Sequence, residues 1–546
     1  MPMIETVNIA AHLPAMAARQ PNTPAIIFPK RNETLSFAKL NAMSDRIAHG
    51  LLALGIGRGV RTVLMVTPSP EFFALTFAIF KVGAVPVLID PGLGIKNLRK
   101  CLDEAEPSAF IGIPKAHVAR CLFGWGKKSL RTLVTVGKRL FWGGTTLSEI
   151  IAQNALELPS PLAPTEADDT AAILFTSGST GAPKGAVYTH GNFAAQVEAL
   201  RQVYGIEPGE IDLPTFPLFA LFAPALGMTA VIPEMDFTRP GSVNPRRIIE
   251  TINAYNVTTM FGSPALINRV SRYGTRHKIM LPTLRRAISA GAPVPAAVLE
   301  RFCGMLNRGV EVFTPYGATE ALPVCSIGSS EILGTTRQIT EAGGGVCVGK
   351  PVEGIRLEVI EITDEPIYQW HPDLRVPVGK IGEIIVQGAQ VTRGYFNRPE
   401  ADVVSKIADP ETGGFFHRMG DLGGMDDDGR VWFCGRKSHR VETVEGTLFT
   451  IPCEAVFNTH PMVFRSALVG IGPLGSQRPV ICIELEKGVR VDKDKLREEL
   501  MEIARGHIHT HAIETILFHP AFPVDIRHNA KIFREKLAVW AARRLS

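Results

Sequence analysis

The sequence predicts an α/β protein: a large N-terminal domain of layered, mostly parallel sheets and helices, followed by a small, mobile α+β domain. Three observations carry this. The chain of 546 residues is too long for one simple core. Over the first 440 residues, short β-branched runs alternate with amphipathic stretches, the pattern of parallel strands joined by crossover helices. From about residue 376 the character changes to short strands separated by glycine turns. Placing the junction at Gly435-Arg436 divides the chain into residues 1–435 and residues 436–546.

In order along the chain, "RTVLMVT" (61–67) reads as a buried strand and "PEFFALTFAIFKVG" (70–83) as a helix stopped by glycine. "AVPVLID" (84–90) is the next strand, and "AAILFTS" (171–177) is a strand that runs into a glycine-rich loop. "NVTTMFGSP" (256–264) and "RRAISAGAP" (285–293) repeat a strand that ends in Gly and Pro. Further on, "GKIGEIIVQG", "RVWFCGR" and "HRVETVEG" are short strands, and 466–488 reads as a hairpin followed by a charged helix over 493–505.

Composition narrows the function classes. Hydrophobic content of 45% with 20% charge describes an ordinary globular chain. A net charge of +5 suits an anionic substrate, but no run of like charges argues for nucleic acid. Lys127-Lys128 and Arg543-Arg544 read as solvated faces. The eight cysteines form no CxxC and no zinc-ligand spacing, which fits reduced thiols in a cytoplasmic protein. The N-terminus lacks the basic-then-apolar pattern of a secretory signal. Leu213 to Pro233 carries no charge over 21 residues, but its four prolines and one glycine predict a buried, broken segment instead of a transmembrane helix.

The chemistry begins at "TSGSTGAPKG" (176–185). Glycines let a ligand approach the backbone, the hydroxyls of Thr176, Ser177, Ser179 and Thr180 can donate to phosphate oxygens, and Lys184 adds positive charge. A Walker loop starting at Gly178 requires glycine at 183, where this chain has Pro183. The longer run "TSGSTGAPKGAVYTHGN" closely resembles the phosphate loop of the adenylate-forming superfamily, which includes acyl-CoA synthetases, luciferases and peptide-synthetase adenylation domains. Companion motifs follow in the family's order: "SAGAP" (289–293), "YGATE" (316–320), "GDLG" (420–423), "GRKSHR" (435–440) and "NAKIFR" (529–534).

The resemblance implies ATP-dependent activation of a carboxylate as an acyl-adenylate, with Mg²⁺. It places the β- and γ-phosphates on Thr176, Ser177, Gly178, Ser179, Thr180, Gly181 and Lys184, and adenine between Tyr316-Gly317 and the backbone of Gly291, Ala292 and Pro293. It gives Thr319 the α-phosphate, Glu320 the metal, Asp421 the ribose hydroxyls and Arg436 the ribose or phosphate side. Lys531, in the C-terminal lid domain, would bridge substrate carboxylate and α-phosphate.

Three departures separate this chain from the CoA-ligase pattern. Ala530 stands where glycine is usual before the late lysine; Ser438 occupies the hinge position and Glu442 and Glu445 follow it; and "FPLFALFAP" offers Phe216, Phe219, Ala220 and Phe222 as a hydrocarbon lining. These features are similar to the olefin-biosynthesis β-lactone synthetases, in which a long-chain 2-alkyl-3-hydroxyalkanoic acid is adenylated and closes on its own 3-hydroxyl. The resemblance therefore implies that CoA is not required. It also implies hand-off to neighbouring enzymes of a hydrocarbon pathway. A long- or medium-chain acyl-CoA ligase and a non-catalytic nucleotide- or acyl-binding protein stay open as alternatives.

Overall fold

The computed structural model describes residues 7–154, 159–160, 162–176, 183–524 and 532–545. One sheet has seven strands in the spatial order Thr145–Thr146, Thr132–Thr135, Ala109–Gly112, Arg61–Met65, Val85–Ile89, Thr170–Thr176 and Lys184–Thr189. All neighbours are parallel except the last pair. Val63, Val87, Phe110 and Ile173 are buried, which is why these strands read as unbroken apolar runs.

The helix Pro70–Lys81 begins where Ser69 accepts from the Phe72 amide and proline takes the first turn; Gly83 follows it at φ +68. It is buried almost all round, against the helix Phe37–Ala53. Lys81, 1% exposed, therefore needs a partner, and Asp45 Oδ1 stands 2.6 Å from its Nζ, with Asn41 Oδ1 at 2.7 Å. Burial still lowers the Lys81 pKa.

The second sheet has fourteen strands. Pro24–Phe28, Thr229–Val231, Ile211–Pro214, Thr259–Phe261, Arg286–Ile288 and Glu311–Ala318 run parallel in that spatial order. At Thr319-Glu320 the chain turns back into Ala321–Gly328, and pairing is antiparallel through Val346–Pro351, Val431–Arg436, Phe415–Met425, Gly382–Gln387 and Arg356–Ile360. The antiparallel part thus starts near residue 319, not 376 as the glycine turns suggested. A two-residue turn inside "YGATE" reverses the chain without the glycine and proline cluster that marks later turns.

The charge-free segment is buried and broken as expected: strand Ile211–Pro214, a short helix Phe222–Leu226, and strand Thr229–Val231. Among the described residues no helix is long and apolar enough to cross a membrane. All eight cysteines are free, and six are buried.

Beyond the joint, the hairpin Val441–Thr443/Gly446–Leu448 leads to a three-stranded sheet of Val463–Ile471, Arg478–Leu485 and Thr515–Phe518. Helix Lys493–Arg505, capped by Asp492, packs Leu496 and Leu500 into a core of its own with Phe457 and Ile481.

Asp45→Ala leaves the buried Lys81 ammonium without its counter-charge and should cost about 3 kcal/mol. A drop in thermal midpoint, largely recovered in Asp45→Ala/Lys81→Met, is the expected result. An unchanged midpoint in the single variant would contradict this account.

Candidate functional site

The ends of both sheets face one large cavity of about 2170 Å³. Strand Thr170–Thr176 enters it from one side and Lys184 leaves it on the antiparallel partner, so Thr176 and Lys184 pair across the base of the glycine-rich loop. Ser177, Gly178, Ser179, Thr180 and Gly181 lie outside the described residues, as does Lys531. Lys184 Nζ sits 4.9 Å from the Tyr395 ring centroid, and the Tyr395 hydroxyl donates to Glu320 Oε1 at 2.7 Å.

Thr319 and Glu320 are the tip of the hairpin between Glu311–Ala318 and Ala321–Gly328. The bulge at Gly317 makes that tip possible: a Cβ there would stand 2.6 Å from the Ala321 carbonyl oxygen. From behind, the Tyr188 hydroxyl donates to the Thr319 carbonyl, and Gln196 donates to that hydroxyl. The Glu320 carbonyl accepts from the Thr392 amide at 2.8 Å. The turn is held from three sides, so the Glu320 carboxylate is fixed in place.

Asp421 is the second anchor. It is 4% exposed, accepts from the Tyr316 hydroxyl at 2.7 Å, and lies 3.0 Å from Arg436 Nη1 through Oδ1. Burial raises its pKa against the opposing pull of Arg436. Arg436 Nη1 also donates to the Met419 carbonyl, and among the described residues the buried Oδ1 has this ion pair but no donor in hydrogen-bond geometry. Such an atom fits a ligand hydroxyl. Tyr316, Gly317, Gly291, Ala292, Pro293, Thr319, Glu320, Asp421 and Arg436 all line the same cavity. Gly291 has φ +98, which brings its backbone edge-on to that space.

No group of three or more His, Cys, Asp or Glu able to hold a metal exists among the described residues. Glu320 alone fits Mg²⁺, which is commonly held by one carboxylate together with phosphate oxygens and water. The glycine-rich loop, one fixed carboxylate and an orphan acceptor are what a nucleotide needs.

At the apolar end, Phe216, Phe219 and Phe222 line the cavity, with Phe219 4.4 Å from Phe261 between ring centroids. Ala220 does not line it. It is fully buried in the core with Ala223 and Leu226, because the short helical turn Phe219–Leu221 points it away from the phenylalanines.

Several residues here were not singled out from the sequence. Tyr188 had a signal, since strand alternation puts it on the face of Lys184 and Ala186. Tyr395, Lys406 and His417 had none, because only the fold brings them to Glu320. The Lys406 ammonium donates to the Thr392 carbonyl, and burial pushes its pKa down to about 7 against the pull of Glu320 and Asp402. His417, 3% exposed, is held neutral by burial and then by Lys406, and its Nδ1 has no partner among the described residues.

The joint between the two parts is tied down. Lys437 donates to Glu383 Oε2 at 3.0 Å, and Arg418 reaches the same oxygen at 2.6 Å, with both Arg418 and Glu383 buried. Beyond it, Arg534 grips Glu454 through contacts of 2.7 and 2.8 Å, fixing the start of the last helix just after the late lysine motif.

The family described as AMP-binding enzyme matches residues 13–396. The chain is 50% identical to an olefin β-lactone synthetase of Stenotrophomonas maltophilia strain K279a, covering 98% of each chain. It is also 50% identical to an olefin β-lactone synthetase of Xanthomonas campestris pv. campestris, covering 99% of this chain and 98% of that one. Among solved structures, the amide bond synthetase McbA of Marinactinospora thermotolerans superposes with a TM-score of 0.80 at 20% identity over 98% of this chain and 99% of that one, a likeness of fold.

Lys406, near 7 in the folded chain against 10.5 for an ordinary lysine, costs folding stability as pH falls from about 10 toward 7. Lys406→Met removes that cost. The gain in its thermal midpoint over the parent should be largest at pH 7 and shrink toward pH 10. A pH-independent difference would show that Lys406 does not titrate there.

Proposed function

Because the chain belongs to the AMP-binding enzyme family, as an AMP-forming ligase or synthetase, we propose that it uses ATP to turn a long-chain 2-alkyl-3-hydroxyalkanoic acid into a β-lactone. The observation that carries this reading is the 50% identity, over nearly the full length, to two olefin β-lactone synthetases. The single cavity that joins the Glu320–Asp421 corner to Phe216, Phe219 and Phe222 supports it.

In the first half-reaction the substrate carboxylate attacks the α-phosphorus of ATP, forming the mixed anhydride as the bond to pyrophosphate breaks. Lys184 and the hydroxyls of Thr176, Ser177, Ser179 and Thr180 hold the departing phosphates. Thr319 contacts the α-phosphate, while Tyr395 and the Thr392 amide keep Glu320 aimed at Mg²⁺. Bound Mg²⁺ neutralises phosphate charge. Asp421 Oδ1 takes the ribose hydroxyls, Tyr316 and Gly291 to Pro293 the adenine. Lys531 bridges the reacting carboxylate and phosphate.

In the second half-reaction the 3-oxygen bonds to the acyl carbon, the bond to AMP breaks and the hydroxyl proton is released. An intramolecular nucleophile gains an effective molarity of ~10⁵ M or more when well oriented. The walls of the cavity provide that orientation, and no second large substrate has to enter. The rest of the proposal is a cytoplasmic enzyme with domains at 1–435 and 436–546 that passes its apolar, reactive product to a neighbouring enzyme of a hydrocarbon pathway.

With ATP, Mg²⁺ and a 3-hydroxy acid, lactone and AMP should form at the same rate with and without CoA, as followed by mass analysis. An acyl-CoA product with no lactone would establish the ligase reading instead. Absence of pyrophosphate release with every carboxylic acid tested would establish a purely binding role instead.

Lys531→Ala should slow adenylate formation by about 10²-fold or more while changing ATP affinity by less than about threefold, measured by pyrophosphate exchange and equilibrium binding. Equal losses in both would remove Lys531 from the chemistry.

A further inference from the structure

We propose that the edge of the seven-stranded sheet, residues 107–148, is a docking surface for an anionic lipid bilayer. Between Glu106 and Glu149 the chain carries seven Lys and Arg and no Asp or Glu, in a protein whose totals are 58 and 53. This segment is one continuous edge: the outer strands Thr145–Thr146 and Thr132–Thr135, then Ala109–Gly112, with the helix Pro114–Phe123 alongside. Lys115, Lys127, Lys128, Arg131, Lys138 and Arg139 are exposed.

Large apolar side chains stand out among these cations. Leu140 is 51% and Phe141 74% exposed in the loop before Thr145–Thr146, and Leu122 is 74% and Phe123 38% exposed at the C-terminal end of the helix. Both pairs rest on buried aromatics. Trp142, beside Phe141, donates to Thr135 Oγ1 at 2.9 Å and stacks on His117 at 5.0 Å. Phe123 lies 5.8 Å from buried Trp125. The loop that carries Phe141 is pressed back onto the sheet at Gly144, where φ is +79 and a Cβ would stand 2.3 Å from the Leu133 carbonyl oxygen. The exposure of Leu140 and Phe141 is therefore imposed by the fold.

Charge complementarity selects the occupant. Nucleic acid would satisfy the cations but offers no medium for leucine and phenylalanine. An anionic bilayer satisfies both, with headgroups for the Lys and Arg and an acyl boundary for the apolar pairs. Trp142, next to the first pair, stacks on His117 of the helix that Leu122 and Phe123 end, so both pairs border that one helix, which suits an extended plane better than a small ligand. Lys115, Ala116, Ala119 and Trp125 of the same edge line the cavity, so docking sets one wall of it against the bilayer. That a long-chain acid would enter there rests on the proposed substrate; the surface itself does not.

The test is co-sedimentation of the full chain with vesicles of phosphatidylcholine alone or mixed with phosphatidylglycerol, at low and high salt. The expected result is binding to the anionic vesicles that weakens with salt. Lys138→Glu/Arg139→Glu and Leu140→Ser/Phe141→Ser should each reduce it roughly tenfold or more, with circular dichroism and adenylate formation from a soluble acid unchanged. Arg543→Glu/Arg544→Glu, an exposed basic pair on the last helix, should leave binding intact. Equal binding to neutral and anionic vesicles, no binding, or edge variants that bind like the parent would overturn the proposal. So would edge variants that abolish self-association of the chain while vesicle binding is unchanged.

Discussion

The site depends on one buried carboxylate. Asp421 sits on the antiparallel strand Phe415–Met425, and its two neighbours come from different parts of the chain: Tyr316 from the hairpin that carries Glu320, and Arg436 from the strand that leads into the C-terminal part. Burying an ionisable group this deeply is costly unless opposite charge and hydrogen bonds surround it. Here one acceptor, Oδ1, lacks a donor in hydrogen-bond geometry among the described residues, and Asp421 is part of the cavity wall. The same contact that positions Tyr316 thus leaves a place for ligand hydroxyls.

Asp421 also sets where the two parts can move. Arg436 is held to it, and Lys437 is held to the buried Glu383, which Arg418 already neutralises. Two consecutive residues of the joint are therefore tied to carboxylates of the large part. Arg440 is held to Asp364 as well, so a rotation of the C-terminal part that keeps all three ion pairs must pivot after Arg440. Rotation about Ser438, the hinge position that the sequence resemblance implies, would have to release the Arg440–Asp364 pair.

What was legible in the sequence was mostly local. The helix Pro70–Lys81, the strands at 61–65 and 85–89 and the hairpin of 463–485 all follow from periodicity and caps. The start of antiparallel pairing was not legible, because "ATEA" reverses the chain with no strong turn residue. Asp421, Glu320, Lys184 and Tyr316 came from motif order, and the cavity brings them together. Lys406 and His417 were out of reach of this reading. Their chemistry comes from burial beside Glu320 and Lys184, which are 86 and 233 positions away from them at the least separated and most separated, and no local pattern encodes it. Ala220 failed for the opposite reason: a run of phenylalanines suggested one apolar wall, but a helical turn keeps Phe216, Phe219 and Phe222, three positions apart, on the cavity side and sends Ala220 into the core.

The case against a CoA-dependent second step shifts once contacts are considered. Glu442 adds a carboxylate near the joint, yet Arg440 holds its Oε1 at 2.7 Å and also binds Asp364. Its charge is matched, so it repels an anionic ligand weakly. Glu445, on the exposed turn of the Val441–Leu448 hairpin, stands in water, where screening weakens any repulsion. Electrostatics at the joint is thus too weak to exclude CoA by itself. The stronger argument is kinetic. A 3-hydroxyl confined in the same cavity as the acyl-adenylate competes with any external thiol at the effective concentration of an attached group, and a well-oriented attached group outpaces a ligand at millimolar concentration by many orders of magnitude. Under the proposed function, what decides the second step is therefore whether the substrate carries that hydroxyl, more than whether the enzyme shuts the thiol out.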